Sequence, residues 1–299
     1  MDNISSALED KSASNTKDAH LIGGLLMIFV TFLSIFGNSL VISSIYHVKL
    51  GARTTFMKTK LSLAFSDLGF SFATMLDILY RLISYSTEHQ PWLDYLWKLE
   101  TGANVFFSSA SLYNIVAIAL FRFYAIKKPF GYMNLSEKRQ FILIALTWLP
   151  GTFVIGMFLV YELVGFPRTF GIGSFCFYFL LPFSLIFIST IAMLAAFLWS
   201  NKKCDLSDIG VVCNRRDHKR VVKITIFMVL GYSITCCPYM IQMLHFLVKG
   251  GSMQNYEATA SRVIGDNLFN LNCLVNILAY TVLDENFRHY VKIIFGKFF

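Results

Sequence analysis

One aspartate stands in the middle of an apolar run: Asp67 in Leu61-Ser62-Leu63-Ala64-Phe65-Ser66-Asp67-Leu68-Gly69-Phe70. A charge at the centre of a bilayer costs about 2.5–3.5 kcal/mol on insertion scales, so it needs partners there. Asn38, Ser111, Asn272 and Asn276 are polar residues in other apolar runs, and Asn272 and Asn276, four apart, share a helix face. Asp67, Ser111, Asn272 and Asn276 therefore make a candidate sodium site, or a proton site, coupled to conformational change. The same residues also read as a hydrogen-bonded, water-filled packing knot. Beyond such an ion, no cofactor is expected. The six histidines, at 20, 47, 89, 218, 245 and 289, are scattered, and no pair has metal-ligand spacing. No nucleophile stands with a His/Asp cluster at membrane depth, so the chain does not read as an enzyme.

The runs that carry these residues dominate the chain. Of 299 residues, 56% are hydrophobic and 15% charged, with a mean hydropathy of +0.57. Soluble domains carry about 25% charged residues, so a polytopic membrane protein is expected. A span needs about 20 mostly apolar residues. Seven such segments are present, at about 21–47, 58–84, 96–121, 140–164, 172–199, 221–248 and 261–283. Pro150, Pro182 and Pro238 fall inside the fourth, fifth and sixth and predict kinks. Residues 284–299 are too short and basic to span. Phe287, Tyr290, Val291, Ile294 and Phe295 recur at three- and four-residue steps, the pattern of an amphipathic helix in the interface. The expected fold is all-α: a seven-helix membrane bundle over 21–283, an extracellular segment over 1–20 and the interfacial helix over 284–299.

The formal charge is +8. A cytosolic side opposite the N-terminus collects 19 of the 26 basic residues and 6 of the 18 acids, a net +13. The outer side keeps 7 basic and 11 acidic residues, a net −4, and Asp67 lies between. The positive-inside rule then places the N-terminus outside. The excess charge is topological and calls for no nucleic acid; the lipid bilayer is the partner it implies. Residues 1–20 lack an apolar core, so the first span is expected to act as the signal anchor. Asn3-Ile4-Ser5 is a glycosylation sequon on the outer side, whereas Asn134-Leu135-Ser136 falls in the cytosol and is expected to stay unmodified.

Motifs now fall in order along the spans: Gly37-Asn38-Ser39-Leu40-Val41 in the first, Leu61 to Asp67 in the second, and Arg122-Phe123, Ala125-Ile126 and Pro129 closing the third. Trp148 marks the fourth, Pro182 and Pro238 the fifth and sixth, and Asn276-Ile277-Leu278-Ala279-Tyr280 then Phe287-Arg288 the seventh and its sequel. Together these resemble a rhodopsin-like (class A) G-protein-coupled receptor over residues 21–297. The resemblance implies a plasma-membrane receptor whose extracellular ligand drives the sixth span outward around Pro238. Arg122 and Phe123 would then meet a heterotrimeric G protein, with Cys236, Asn276 and Tyr280 taking part in the switch and 284–299 forming helix 8.

Departures from the motifs carry their own expectations. Phe121 replaces the acid before Arg122, His218 stands where a second acid often pairs with it, Cys236 replaces the sixth-span tryptophan, Ile277 the seventh-span proline and Thr190 the fifth-span tyrosine. A receptor without those two acids is expected to signal above background without ligand. The competing expectation is poor coupling. Trp97 occupies the usual half-cystine position of the third span, so the family disulfide to the second outer loop is not expected. The resemblance places ligand among Asp77, Glu100, Asn104, Ser108, Tyr239, Gln242, His245, Asn267 and Asn270. Asn104, at the amine receptors' aspartate position, argues against a monoamine, and Asn270, at the retinal lysine position, against an opsin. Asp77 and Glu100 could draw a cationic amine-like or peptide ligand or a divalent ion; alternatively, Asp77 pairs with Arg81 one turn on. A channel or transporter is the rival function, but no internal repeat supports it.

Overall fold

A computed structural model describes residues 2–47, 54–86, 90–164, 173, 175–203, 209–249 and 260–296. Among these every regular element is helical. In chain order they are α1 (Asp2–Tyr46), α2 (Thr55–Ser86), α3 (Pro91–Lys127), α4 (Pro129–Met133), α5 (Glu137–Ala145), α6 (Leu149–Val164), α7 (Leu181–Lys203), α8 (Ile209–Lys249), α9 (Ala260–Asn270), α10 (Asn272–Leu283) and α11 (Glu285–Phe295). The first helix begins well before the apolar stretch that was expected to start it; the stretch long and apolar enough to cross a membrane is Ile22–Tyr46. Five further spans run over Thr55–Ser84, Pro91–Lys127, Glu137–Met157, Cys176–Ser200 and Lys219–His245. The seventh is made of α9 and α10, each short on its own and joined end to end at Leu271.

Backbone chemistry sets the breaks. Pro91 starts α3 at its first turn after an extended Gln90, and Lys128, kept out of the helical region by Pro129, stops it. Pro150 has no N–H for the Leu146 carbonyl, and the chain tightens there: the amides of Thr147 and Trp148 turn to the carbonyls three residues back, separating α5 from α6. Pro182 is preceded by a wide π turn over Cys176–Leu180, in which the Leu181 amide reaches the Cys176 carbonyl. Pro238 is carried inside α8, which continues to Lys249. The break at Leu271 has no proline; it lies between Asn270 and Asn272, weak helix formers.

Burial is inverted relative to a soluble protein. Phe29, Phe32, Phe72, Phe153, Ile188 and Ile234 are all more than half exposed on the outside of the bundle. Asn38, Asp67, Ser111, Asn114 and Asn276 lie inside, none more than 2% exposed. Lipid would satisfy such a surface and water would not. The third span is central: 67% of its apolar window is buried, against 22% for the fourth. Trp148 Nε1 donates to Ser62 Oγ at 3.0 Å, and Thr147 Oγ1 to Asn114 Oδ1 at 3.2 Å, tying the fourth span to the second and third. Asp284 caps α11 by accepting from the amides of Asn286 and Phe287.

Candidate functional site

At one end of the bundle α1, α2, α3, α8, α9 and the π turn line a cavity of about 400 Å³. Asp77, Glu100, Asn104, Ser108, Tyr239 and Asn270 line it, whereas Gln242, His245 and Asn267 are not among its lining residues. Helical phase separates the two sets: His245 is exposed on the outer face of α8, while Asn267 is buried outside the cavity wall. Gln242 faces the backbone of Gly265. Phe70, Tyr80, Trp97, Tyr178 and Phe269 also contribute to the lining, so the cavity has an aromatic wall that spacing alone did not indicate. Tyr239 stacks on Phe269 with centroids 5.0 Å apart.

Four charged residues line this cavity, and Arg81 engages two of the acids. Its Nε donates to both carboxylate oxygens of Asp77 at 2.9 and 3.0 Å, and Nη2 lies 3.5 Å from Asp266 Oδ2. Asp77 is therefore committed to the i,i+4 pair; a helix brings those two residues together regardless of tertiary structure. Glu100, only 7% exposed, accepts instead from Asn104 Nδ2 and from Thr101 Oγ1. Among the described residues no base forms an ion pair with Glu100. Ser108 Oγ bonds the Asn104 carbonyl and the Tyr178 hydroxyl, linking α3 to the π turn.

The floor of the cavity leads toward Asp67. Thr74 Oγ1 donates to Asn270 Oδ1 at 3.3 Å. One turn down α2, Ser71 Oγ donates to the Asp67 carbonyl at 2.7 Å and meets Ser34 Oγ at 2.7 Å. Asp67 Oδ1 accepts from Ser111 Oγ at 2.6 Å, and Oδ2 from Asn276 Nδ2 at 2.8 Å. Three spans thus converge on one fully buried carboxylate. Asn38 bonds Ser34 rather than Asp67. Asn272 is buried, and the side-chain oxygens of Asn38, Asn272 and Asn276 have no hydrogen-bond partner among the described residues.

At the opposite end the Arg122 guanidinium lies 4.6 Å from the Phe56 ring centroid. Phe121 is buried beside it, Phe123 is half-buried, and Cys236 is fully buried one turn below Tyr239. The side chain of His218 lies outside the described residues, as do those of Asn3, Cys204 and Cys213. The four described cysteines, Cys176, Cys236, Cys237 and Cys273, are all free thiols, with Cys176 exposed.

The sequence model of the seven-transmembrane receptors of the rhodopsin family matches residues 37–280. This chain belongs to that family. As a rhodopsin-family receptor it is a multi-pass membrane protein and not an enzyme. It is 33% identical to "Dopamine receptor 2" of Drosophila melanogaster over 134 residues, 43% of this chain and 24% of that protein. It is 30% identical to "Octopamine receptor beta-2R" of Chilo suppressalis over 129 residues, 42% of this chain and 31% of that one. With "Allatostatin-A receptor" of Bombyx mori the identity is 25% over 281 residues, 87% of this chain and 75% of the relative. The first two matches thus span less than a third of those receptors' length. The crystal structure of squid rhodopsin superposes with a TM-score of 0.72 at 17% identity, covering 92% of this receptor and 84% of that chain.

Among the charged contacts that the motifs do not include, two stand out. The Arg81–Asp266 contact joins the second and seventh spans. The second, a buried Lys60–Asp284 pair, lies at the Arg122 end.

Proposed function

We propose that this receptor sits in the plasma membrane with its N-terminus outside, binds an extracellular ligand in the cavity and activates a heterotrimeric G protein at the Arg122 end. The support is the family itself, together with a polar path from the cavity floor at Asn270 through Thr74 and Ser71 to Asp67 and Asn276. Ligand would favour the state in which the sixth span swings out around Pro238.

The ligand carries a cationic group. The observation behind this is the charge on the wall: three carboxylates, Asp77, Glu100 and Asp266, against one guanidinium, Arg81. Glu100 is the acid that Arg81 does not bond. A buried carboxylate in an aromatic-walled cavity favours an ammonium or guanidinium. Among the relatives' names are both amine and peptide receptors. Asn104 in place of the amine receptors' aspartate favours a cationic group one helical turn higher, at Glu100, over a monoamine.

Asp67, Ser111, Asn272 and Asn276 would hold an allosteric sodium ion. Asp67 and Ser111 are oxygen donors, and the orphaned buried oxygens of Asn272 and Asn276 suit a hard cation. The ion would supply positive charge beside a fully buried carboxylate.

A library screen reading several G-protein classes, with ligand-free signal recorded first, tests the receptor reading. On its hits, Glu100→Gln should lower the potency of cationic agonists by about ten- to a hundredfold, the worth of one charged hydrogen bond. Agonists without a cation should be unaffected. Unchanged potency for a cationic agonist sinks the Glu100 assignment.

A further inference from the structure

At the Arg122 end a buried lysine lies apart from both the cavity and the Asp67 cluster. Lys60, seven residues before Asp67 in α2, is 3% exposed. Its ammonium donates to Asp284 Oδ2 at 2.8 Å and lies 4.0 Å from the centroid of the Tyr280 ring. It is also 5.2 Å from the Phe287 ring. The other oxygen of Asp284 caps α11. The next residue, Glu285, faces Arg220 at the start of the sixth span at 3.6 Å. Burial pushes the Asp284 carboxyl up, but the Lys60 ammonium, the capping amide of Phe287 and the Arg220 charge outweigh it and hold it below the ordinary carboxylate value. Asp284 is therefore ionised at neutral pH and keeps its charge for the pair.

We infer that Lys60 and Arg220 clasp the adjacent acids Asp284 and Glu285, holding Tyr280 and the sixth span in the arrangement seen here, and that opening this clasp is a step of activation. The inference rests on the receptor reading above.

Tyr280 supplies the second state. Its hydroxyl is buried and has no hydrogen-bond partner among the described residues. A buried orphan hydroxyl loses its hydration and gains nothing in return, so any movement that finds it a partner is favourable. The ammonium over the ring and the Phe287 ring, edge-on at 6.4 Å, oppose that movement. The two halves of the clasp differ in strength. Lys60 and Asp284 have side chains only 4% and 9% exposed, and parting them strands a charge away from water. Arg220 and Glu285, at 26% and 72%, form a screened and weak contact. An outward swing of the sixth span breaks the weak half first; the buried half sets how far the equilibrium lies from the open state. The sequence gives Arg122 a phenylalanine, Phe121, where the family has an acid, and the clasp places acids at α11 instead.

The test uses the full chain in membranes, with Lys60→Met, Asp284→Asn, Lys60→Arg and Glu285→Gln. Asparagine still caps a helix, so Asp284→Asn removes the charge and spares the cap. Glu285→Gln changes an exposed residue and guards against a folding failure in the buried pair. Two quantities are read: amide hydrogen exchange of residues 285–295, and ligand-free G-protein nucleotide exchange. Lys60→Met and Asp284→Asn should speed the amide exchange and raise ligand-free signalling by about fivefold or more. Lys60→Arg should stay near wild type, and Glu285→Gln should raise the signal by less than either. Unchanged amide exchange in Lys60→Met overturns the clasp. So does a loosened α11 with wild-type signal in a chain that does signal. Silence of wild type and all variants alike, with α11 loosened, counts instead against the receptor reading.

Discussion

Asp67 accepts from Ser111 and Asn276 at 0% exposure, so its two oxygens are the acceptors for two buried donors on two other spans. Replacing Asp67 by alanine leaves both donors without an acceptor, at roughly 1–3 kcal/mol each. Asp67→Ala should therefore melt well below wild type in detergent, while Asp67→Asn, which keeps one acceptor, loses less. Equal melting of Asp67→Ala and wild type would show that the carboxylate does not bear these bonds. Asp67 and its partners were legible because a charge in an apolar run is anomalous and demands compensation. Lys60 was not legible. A lysine at the basic end of a span reads as an ordinary positive-inside charge, and its partner Asp284 lies 224 residues away in the chain. Asp77 stood between two readings until the structure placed Arg81 on it. That left Glu100 as the acid that Arg81 does not bond.

At the scale of elements, prolines announced the fourth- and fifth-span irregularities because a missing N–H has a fixed consequence four residues back. The seventh-span break at Leu271 carried no such mark. The site where the family proline would stand is Ile277, and α10 runs straight through it. Ile277 instead packs against Gly37 of the first span, whose missing side chain makes room for it. The fourth span is held more tightly than its low burial suggests. A Cβ on Gly151 would lie 2.8 Å from the Phe106 carbonyl oxygen, a backbone atom of the central helix that cannot rotate away. Gly151→Ala should push α6 off α3 and cost about 1–3 kcal/mol, seen as a lower melting temperature. Gly156→Ala is the control, since a Cβ there meets nothing within 4 Å. It should be neutral or stabilise by up to about 1 kcal/mol. If the two variants melt alike, close approach at Gly151 is not what seats the fourth span.

At the scale of the whole molecule, the bundle is built inside-out, with amides and a carboxylate within and phenylalanines facing lipid, so only the bilayer can serve as its solvent. Which face looks outward is a separate matter, decided by charge. The end that carries Arg122 and α11 collects the basic excess, and the cavity end carries the acidic one. Two sequons turn this into a chemical test, because glycosylation occurs only on the luminal side. Asn134 is exposed, at the turn that ends α4 near Arg122, so its accessibility gives no protection from modification. Asn3 lies at the other end of the first span. If the positive-inside orientation holds, treatment of the expressed receptor with an endoglycosidase should shift its gel mobility. Asn3→Gln should abolish the shift and Asn134→Gln should leave it intact. The reverse pattern would turn the molecule over, placing Glu100 and its cavity in the cytosol. No extracellular ligand could then reach them.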